Sequence, residues 1–385
     1  MFKVLIACYT EWDTTSEVPF ILKKGGCSIV DAYCSPNSWL LSNSYIDNWI
    51  RSEKEEKIFI NKLIQTVTNG DYQWVLLADD SLIKIMNEEE LDESIFKKLM
   101  PINKIENRYM LSSKIGFSQF CVSAGFLSPK FINYNKPEDL ELIKANFTFP
   151  IVNKRDFSSA GTDMFVSETL AEFEKDLHLI PLDQNVLVQE YIIGTEIHVE
   201  ALFFDGILVT YTNGLILQTF STQFSFTTRR KYFKDENLTP ILKEIGKKLG
   251  LNSFCNIAFI HKKETNQYYL FEVDPRPTSW LALSRFVTPN NFFVGVERIV
   301  SGKYKEGYTE TAYYKNEMEA ALFFKDMRRI LWHKDIKGLM RWIFNIKGYW
   351  RFLPFYDWKL TRRIFVSIWK EIFRPKIKRI MGGSR

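Results

Sequence analysis

Tyr268-Tyr269-Leu270-Phe271-Glu272-Val273-Asp274-Pro275-Arg276-Pro277 is an aromatic, apolar run ending in two carboxylates one residue apart, then an arginine between two prolines. In a strand, alternate side chains share a face, so Glu272 and Asp274 point the same way, roughly 7 Å apart. Two carboxylates at that separation grip one or two hard cations through oxygen. Pro275 and Pro277 stiffen the chain past the strand and cannot extend its ladder. Arg276 is thereby fixed beside the anions that such cations accompany. An ordinary strand end, with two solvated acids and the arginine paired to one of them, explains this segment equally well by itself. The rest of the chain decides between the two.

Upstream, Phe149-Pro150-Ile151-Val152-Asn153-Lys154 reads as a strand that delivers a lysine and then enters the small-residue loop Ser158-Ser159-Ala160-Gly161-Thr162. The backbone N–H groups and hydroxyls of such a loop close over phosphates, with the lysine as a point charge on them. The loop carries one glycine only, so a surface turn is the competing reading. Further on, Val186-Leu187-Val188-Gln189-Glu190-Tyr191-Ile192-Ile193-Gly194-Thr195-Glu196 is an apolar strand, a short connector and a glutamate that opens a new strand. Glu196, His198 and Glu200 alternate onto one face, and Ile197, Val199 and Ala201 onto the other. Such a connector can offer backbone groups to a flat heterocycle, and a carboxylate just beyond can accept from ribose hydroxyls. A solvated hairpin face is the alternative.

At 385 residues the chain is long enough for two or three domains. Lys3–Tyr9, Ser28–Tyr33 and Trp74–Ala78 read as short buried strands, with helical spacing over Glu53–Val67. That alternation predicts a small open α/β domain with a parallel sheet, ending near Asn107. A helix is predicted over Leu111–Ala124, with Gly125 near its cap. Hairpin-like runs follow at Phe149–Lys154, Met164–Val166, Val186–Tyr191, Glu196–Phe204 and Ile207–Asn213, with Asp205-Gly206 as a two-residue turn. Leu238–Leu249 is a predicted helix closed by Gly250. A strand pair, Phe254–His261 and Gln267–Asp274, comes next, and Ser301-Gly302 ends this part.

In this order and spacing the segments resemble the ATP-grasp superfamily, whose members include D-alanine–D-alanine ligase, biotin carboxylase and the large subunit of carbamoyl phosphate synthetase. The resemblance covers roughly residues 107–302, and residues 1–107 are similar to the α/β domain that usually precedes that fold. It implies an α/β (α+β) chain in three parts: residues 1–107 as that first domain, 108–302 as two subdomains clamping ATP, and 303–385 as a basic helical region. Lys114 and Lys154 match the two lysines on the ATP phosphates, with Ser159 and Gly161 in the loop over them. Gln189 falls at the hinge near the adenine amino group, Glu190 and Ile192 where backbone meets the adenine edge, and Glu196 at the carboxylate on the ribose. Glu272 and Asp274 match the magnesium-binding pair, where the second position is more often Asn. Arg276 matches the arginine that faces the phosphate or the acyl intermediate. Arg229 and Arg230 lie where a further basic residue stands near the phosphates. Two features depart from the pattern. The glycine loop is thin, and Ala258 stands where a Glu, Gln or Asp metal ligand is usual, with Asn256 as the residue that would substitute through its carbonyl oxygen.

The resemblance therefore implies an ATP- and Mg2+-dependent (or Mn2+-dependent) ligase. It would join a small-molecule carboxylate to an amine, less often a thiol, through an acyl phosphate, releasing ADP and phosphate. No covalent protein nucleophile is needed. Ala258 and the thin loop motivate the alternative of a non-catalytic nucleotide-binding or partner-binding module.

The net charge of +5 hides an asymmetry. From Lys325 to Arg385 there are 17 Lys and Arg against 4 Asp and Glu, a net of +13, which leaves −8 on the rest. Five of the ten tryptophans also lie there: Trp332, Trp342, Trp350, Trp358 and Trp369. Within Arg362–Arg374, Ile364, Ile368 and Ile372 form one stripe and Phe365, Trp369 and Phe373 the adjoining one, among arginines and lysines. Residues 328–347 repeat that composition. Two outcomes are open: binding at an anionic membrane surface, which would make a lipid-carried or surface-polysaccharide precursor attractive as substrate, or packing of the apolar stripe on the acidic body. A strong apolar stripe is unnecessary for tracking phosphates, so no nucleic acid is expected as partner. Cys8, Cys27, Cys34, Cys121 and Cys255 are scattered without a CxxC pair and read as reduced thiols. With no apolar run approaching the roughly 20 residues of a membrane span and none fitting a signal peptide, the expected location is cytoplasmic, peripheral to the inner face of a membrane if the tail binds lipid.

Overall fold

The computed structural model describes residues 1–158, 163–179, 185–310 and 312–373. It opens with four parallel strands in the order Asn48–Arg51, Ile29–Cys34, Lys3–Ala7, Trp74–Leu77. The inner strands are near-continuous apolar runs, as expected where both sheet faces are covered. Asn48–Arg51 escaped sequence reading because its residues are mostly exposed and carry no apolar alternation. Past Trp74–Leu77 the chain turns sharply. Asp79 caps the helix Asp80–Glu88 through Leu82 N–H, and its other oxygen accepts from Tyr9 and Thr10 N–H at 2.8 and 3.1 Å. One capping carboxylate thus ties the end of the first strand to the start of the helix that bears Asp80.

The predicted helix over Leu111–Ala124 is shorter than expected. A 3-10 turn, Ile105–Met110, precedes a break at Ser112, whose φ is 61°, and the helix proper is Lys114–Ser123. Ser113 stops it from starting earlier, since its hydroxyl accepts from Gly116 N–H at 2.9 Å as an N-cap. Gly125 follows with φ 72°, the left-handed conformation that closes a helix.

Two antiparallel sheets come next. The smaller has the order Phe131–Tyr134, Val186–Glu190, Ile151–Arg155, Met164–Ser167 and keeps its own core around Ile143, Ile151, Phe173 and Val188. The larger has the order Gln267–Asp274, Phe254–Lys262, Thr195–Phe204, Ile207–Thr219, Thr227–Phe233, Glu317–Ala321. Asp205 and Gly206 turn with φ of 50° and 76°, the pair of positive values that a tight hairpin demands. Leu238–Leu249 ends at Gly250 with φ 71°, and a shared core joins this helix to the large sheet and the parallel sheet.

Glu317–Ala321 adds a sixth strand to the large sheet from beyond residue 302, so residues 303–385 are not helical throughout. The final described helix, Trp358–Phe373, divides the stripe expected at a membrane. Ile364 and Ile368 turn inward with Leu360 into a core that includes Trp39, Tyr232, Trp280 and Trp342, while Ile372 is exposed. All five cysteines are buried free thiols. Among the described residues no helix is long and apolar enough to cross a membrane.

Candidate functional site

The strand Gln267–Asp274 forms one edge of the large sheet, and its end opens on a cleft of about 710 Å³ lined from every part of the chain. Register places Glu272 opposite Ala258 and Asp274 opposite Asn256, and the same rows continue to His198 and Glu200 on the next strand. A register shift between Ala258 and Phe259 lets Phe271 and Glu272 both line the cleft, the re-aiming that a bulge produces.

The charged form of Asp274 is disfavoured by its neighbourhood. Burial pushes the Asp274 carboxyl well above the usual range, and the Glu272 carboxylate adds to the rise. Arg276 opposes it, donating to Asp274 Oδ2 at 3.1 Å and to Asp80 at the start of the first domain's helix. Despite burial, Asp80 and Asp274 hold the guanidinium firmly protonated. The arginine–acid pairing of an ordinary strand end is therefore present, but inside a cleft and braced by a second acid from another part of the fold. A desolvated carboxylate beside a second one, with oxygen donors only, is what a hard cation relieves. Asn256 faces the same cleft, its side-chain amide 3.3 Å from His198 Nδ1.

Lys154 reaches the cleft from the small sheet, with its ammonium 5.2 Å from the centre of the Phe271 ring. Burial pulls it down to about 8; Lys114 adds to the fall, and Glu272 and Glu196 oppose it. Lys114 stands at the first turn of its helix and donates to Ser158 O at 2.7 Å and Ser158 Oγ at 3.2 Å. Asp156, which sequence reading missed, locks this corner: it accepts from Ser113 Oγ at 3.0 Å and Ile115 N–H at 2.8 Å. Ser159 and Gly161 lie outside the described residues.

Gln189, Glu190, Ile192 and Glu196 all line the cleft. The Gln189 amide is buried and donates to Ser118 Oγ at 3.3 Å, so the side chain helps hold the small sheet to the Lys114–Ser123 helix. The connector needs its glycine. A Cβ on Gly194 would stand 2.6 Å from Ile260 Cγ2 and 2.7 Å from His261 O, closer than any side chain tolerates. Glu196 accepts from His198 Nε2 at 2.7 Å. Burial raises its carboxyl, but that imidazole, Lys154 and Arg230 together bring it below the ordinary value.

The two adjacent arginines part company because neighbours on a strand face opposite ways. Arg230 enters the cleft, donates to the fully buried Glu200 at 2.5 Å and lies 4.5 Å over the Trp280 ring. Arg229 turns to Gln218 and Asp326 on the far side. Several lining residues carried no sequence signal: Trp12, Asp13 and Asp80 from the first domain, and Lys325 and Arg328 from the helix Phe323–His333. Burial lowers the Lys325 ammonium, with Asp13 opposing. The arrangement thus gathers six cationic side chains, the neighbouring carboxylates Glu272 and Asp274 and a backbone connector around one cavity, which suits a polyanion accompanied by a metal ion.

No family model matches the chain. A carbamoyl-phosphate synthase from Methanobrevibacter smithii is 24% identical over 234 residues, 59% of this chain, and the match spans 62% of that protein's length. Among solved structures, the fold is similar to N5-carboxyaminoimidazole synthetase from Staphylococcus aureus complexed with ADP (TM-score 0.58, 13% identity, covering 81% of this chain and 79% of that one). It is similar to L-amino acid ligase from Bacillus licheniformis (0.56, 15%, 77% and 74%). A third likeness is to the biotin carboxylase domain of Hydrogenobacter thermophilus 2-oxoglutarate carboxylase in complex with MgADP and bicarbonate (0.58, 13%, 82% and 73%).

Proposed function

We propose that this chain, which has the ATP-grasp fold, is an ATP- and magnesium-dependent ligase joining a carboxylate to an amine through an acyl phosphate. The observation that carries the reading is the convergence of Glu272, Asp274, Lys154, Lys114 and Arg276 on one cleft with the Glu190–Glu196 connector across it. A carboxylate resists attack because its charge repels nucleophiles and oxide is a poor leaving group. Phosphorylation by ATP replaces oxide with phosphate, and an amine then displaces that phosphate.

Little covalent chemistry falls to the protein, whose share is positioning and charge neutralisation. The backbone of Glu190–Ile192 would meet the adenine edge, and Glu196, anionic and held by His198, would accept from ribose hydroxyls. Lys114 and Lys154 would sit on the phosphates. Glu272 and Asp274, with Asn256 opposite, would hold magnesium, which when bound draws charge from the phosphate oxygens. Arg276, braced by Asp80, would face the transferring phosphoryl group without having to reorganise. A precursor carried at a membrane or destined for a surface polysaccharide suits the basic, tryptophan-rich segment beside the cleft.

The test is ADP release by the full-length protein with magnesium, ATP and pools of acids and amines, followed by 18O tracing with the acid that responds. Label passing from carboxylate to inorganic phosphate is the expected result. AMP formation, or phosphate free of label, would refute the acyl phosphate. Ala258, which puts a methyl opposite Glu272, favours a second reading: a nucleotide-binding module without turnover. Tight ATP binding with no ADP release across the whole screen would select it.

The Lys154 ammonium supplies a pH dependence. It is charged below about 8 and neutral above in the free protein, and bound phosphates favour the charged form. Nucleotide affinity is therefore expected to fall as pH rises through 8, approaching about tenfold per unit. Calorimetry from about pH 7 to about pH 9.5 checks this, and Lys154→Arg should make the fall shallower because guanidinium keeps its charge, leaving the part due to Asp274, whose carboxyl is raised to about 8. An equally steep fall in that variant would remove Lys154 from the explanation.

A further inference from the structure

The helix Ile336–Ile343 is apolar on both sides. Its inner side is committed: Trp342 is buried, its indole N–H donates to Asp326 at 2.8 Å, and Leu339 packs on the same core. Ile336, Met340 and Ile343 recur on the outer side at the i, i+4, i+7 spacing of one helical stripe, and all are exposed. Phe344 and Ile346 continue the surface past the helix end, and Trp332 precedes it. Ile336, Ile343, Phe344, Ile346 and Trp332 are each between 56% and 69% exposed. A helix facing water would carry polar residues there, and a contiguous apolar patch of this kind marks an interaction surface.

The charges around the stripe identify the partner. Lys334, Lys337 and Arg341 are exposed and, among the described residues, make no ion pair. The one acid in the stretch, Asp335, is held by Arg329 at 2.8 Å. A tryptophan, a row of aliphatic side chains and unpaired cations flanking them are the complement of an anionic lipid surface, apolar below the head groups and negative at them.

The patch also adjoins the cleft. On the helix Phe323–His333, Lys325 and Arg328 line the cavity, and Trp332 lies on the same face one turn further along. Its ring centre is 6.1 Å from that of Phe220, which stacks at 4.8 Å on Phe226, a residue of the cleft lining.

We infer that the surface Trp332–Ile346 docks on an anionic bilayer with the cleft mouth at the lipid boundary. Of the stripes singled out by sequence on the helix Trp358–Phe373, Ile364 and Ile368 take no part because they are buried in the core, while Phe365, Trp369 and Ile372 are exposed. A substrate head group held in the membrane would then reach Lys325 and Arg328 without leaving it.

Sedimentation with vesicles tests this on the full-length chain, using phosphatidylcholine alone and phosphatidylcholine with about 30 mol % phosphatidylglycerol. Binding is expected to the anionic vesicles only. The triple variant Ile336→Ser, Ile343→Ser, Phe344→Ser should partition at least about tenfold less, with unchanged circular dichroism. Lys337→Glu with Arg341→Glu should weaken binding in low salt. The inference is overturned if the parent chain ignores anionic vesicles, if the triple variant binds as well as the parent, or if the variant instead dissolves a dimer of the parent seen by sedimentation velocity. Docking is scored without nucleotide or turnover, so it stands or falls separately from the ligase reading.

Discussion

Glu272→Gln is expected to abolish the tightening of ATP binding by magnesium while leaving the free protein as stable as before. The side chain ends a strand in the cleft beside Asp274, and its charge acts in two opposed ways on the empty site. It raises the Asp274 carboxyl, which is unfavourable, and it supports the Lys154 ammonium, which is favourable. Removing one carboxylate charge from that balance should move the melting temperature by no more than about 2 °C. The loss on the ligand side has no such compensation. A neutral amide keeps an oxygen but loses the charge that attracts the cation, and even partners of metal ligands are worth about 10–100-fold in metal affinity, so losing the charge of a direct ligand is expected to cost on the order of 100-fold. Titration calorimetry with ATP, with magnesium or with a chelator, measures the first effect, and a thermal scan the second. Undiminished tightening by magnesium would remove Glu272 from the metal site.

Arg230→Met gives the largest expected loss of stability. Arg230 and Glu200 form an ion pair with side chains only 5% and 0% exposed, and the guanidinium also covers Trp280. Removing the arginine alone strands a carboxylate in the interior, which costs about 3–5 kcal/mol. At roughly 1–1.5 °C per kcal/mol for a chain of this size, the melting temperature should fall by about 5 °C. The same physics predicts rescue: Glu200→Leu added to Arg230→Met removes both charges and should restore most of the loss. Nucleotide binding should stay weak in both variants, because the rescue returns packing and not the cation in the cleft. Recovery of binding together with stability would show that Arg230 serves the fold alone.

Much of the site was legible because its components are local. Period-two alternation put Glu272 with Asp274, and Glu196 with His198 and Glu200, on common faces, and register then joined these rows across three strands. The turn at Asp205-Gly206 and the cap at Gly250 were readable because positive φ is a property of one or two residues. The helix Lys114–Ser123 starts three residues later than the apolar spacing suggests, because Ser113 caps it through Gly116 N–H and is itself held by Asp156, 43 residues away. Nothing in the alternation of Arg229 and Arg230 says which of the two faces the cleft.

By itself, then, the sequence determined the carboxylate pair, the lysine after the apolar strand, the glycine-bearing connector and the order in which they follow one another. These depend on backbone geometry over a few residues. Tertiary structure alone decided who neutralises whom: Asp80 braces Arg276 from 196 residues away, and Glu200 claims Arg230. It also decided that Lys325 and Arg328 turn into the cleft, and that Ile364 and Ile368 turn into the core while Ile336 and Ile343 are left outside. A charge attracts any opposite charge and an apolar stripe fits any apolar surface, so their partners are chosen only when the chain closes on itself.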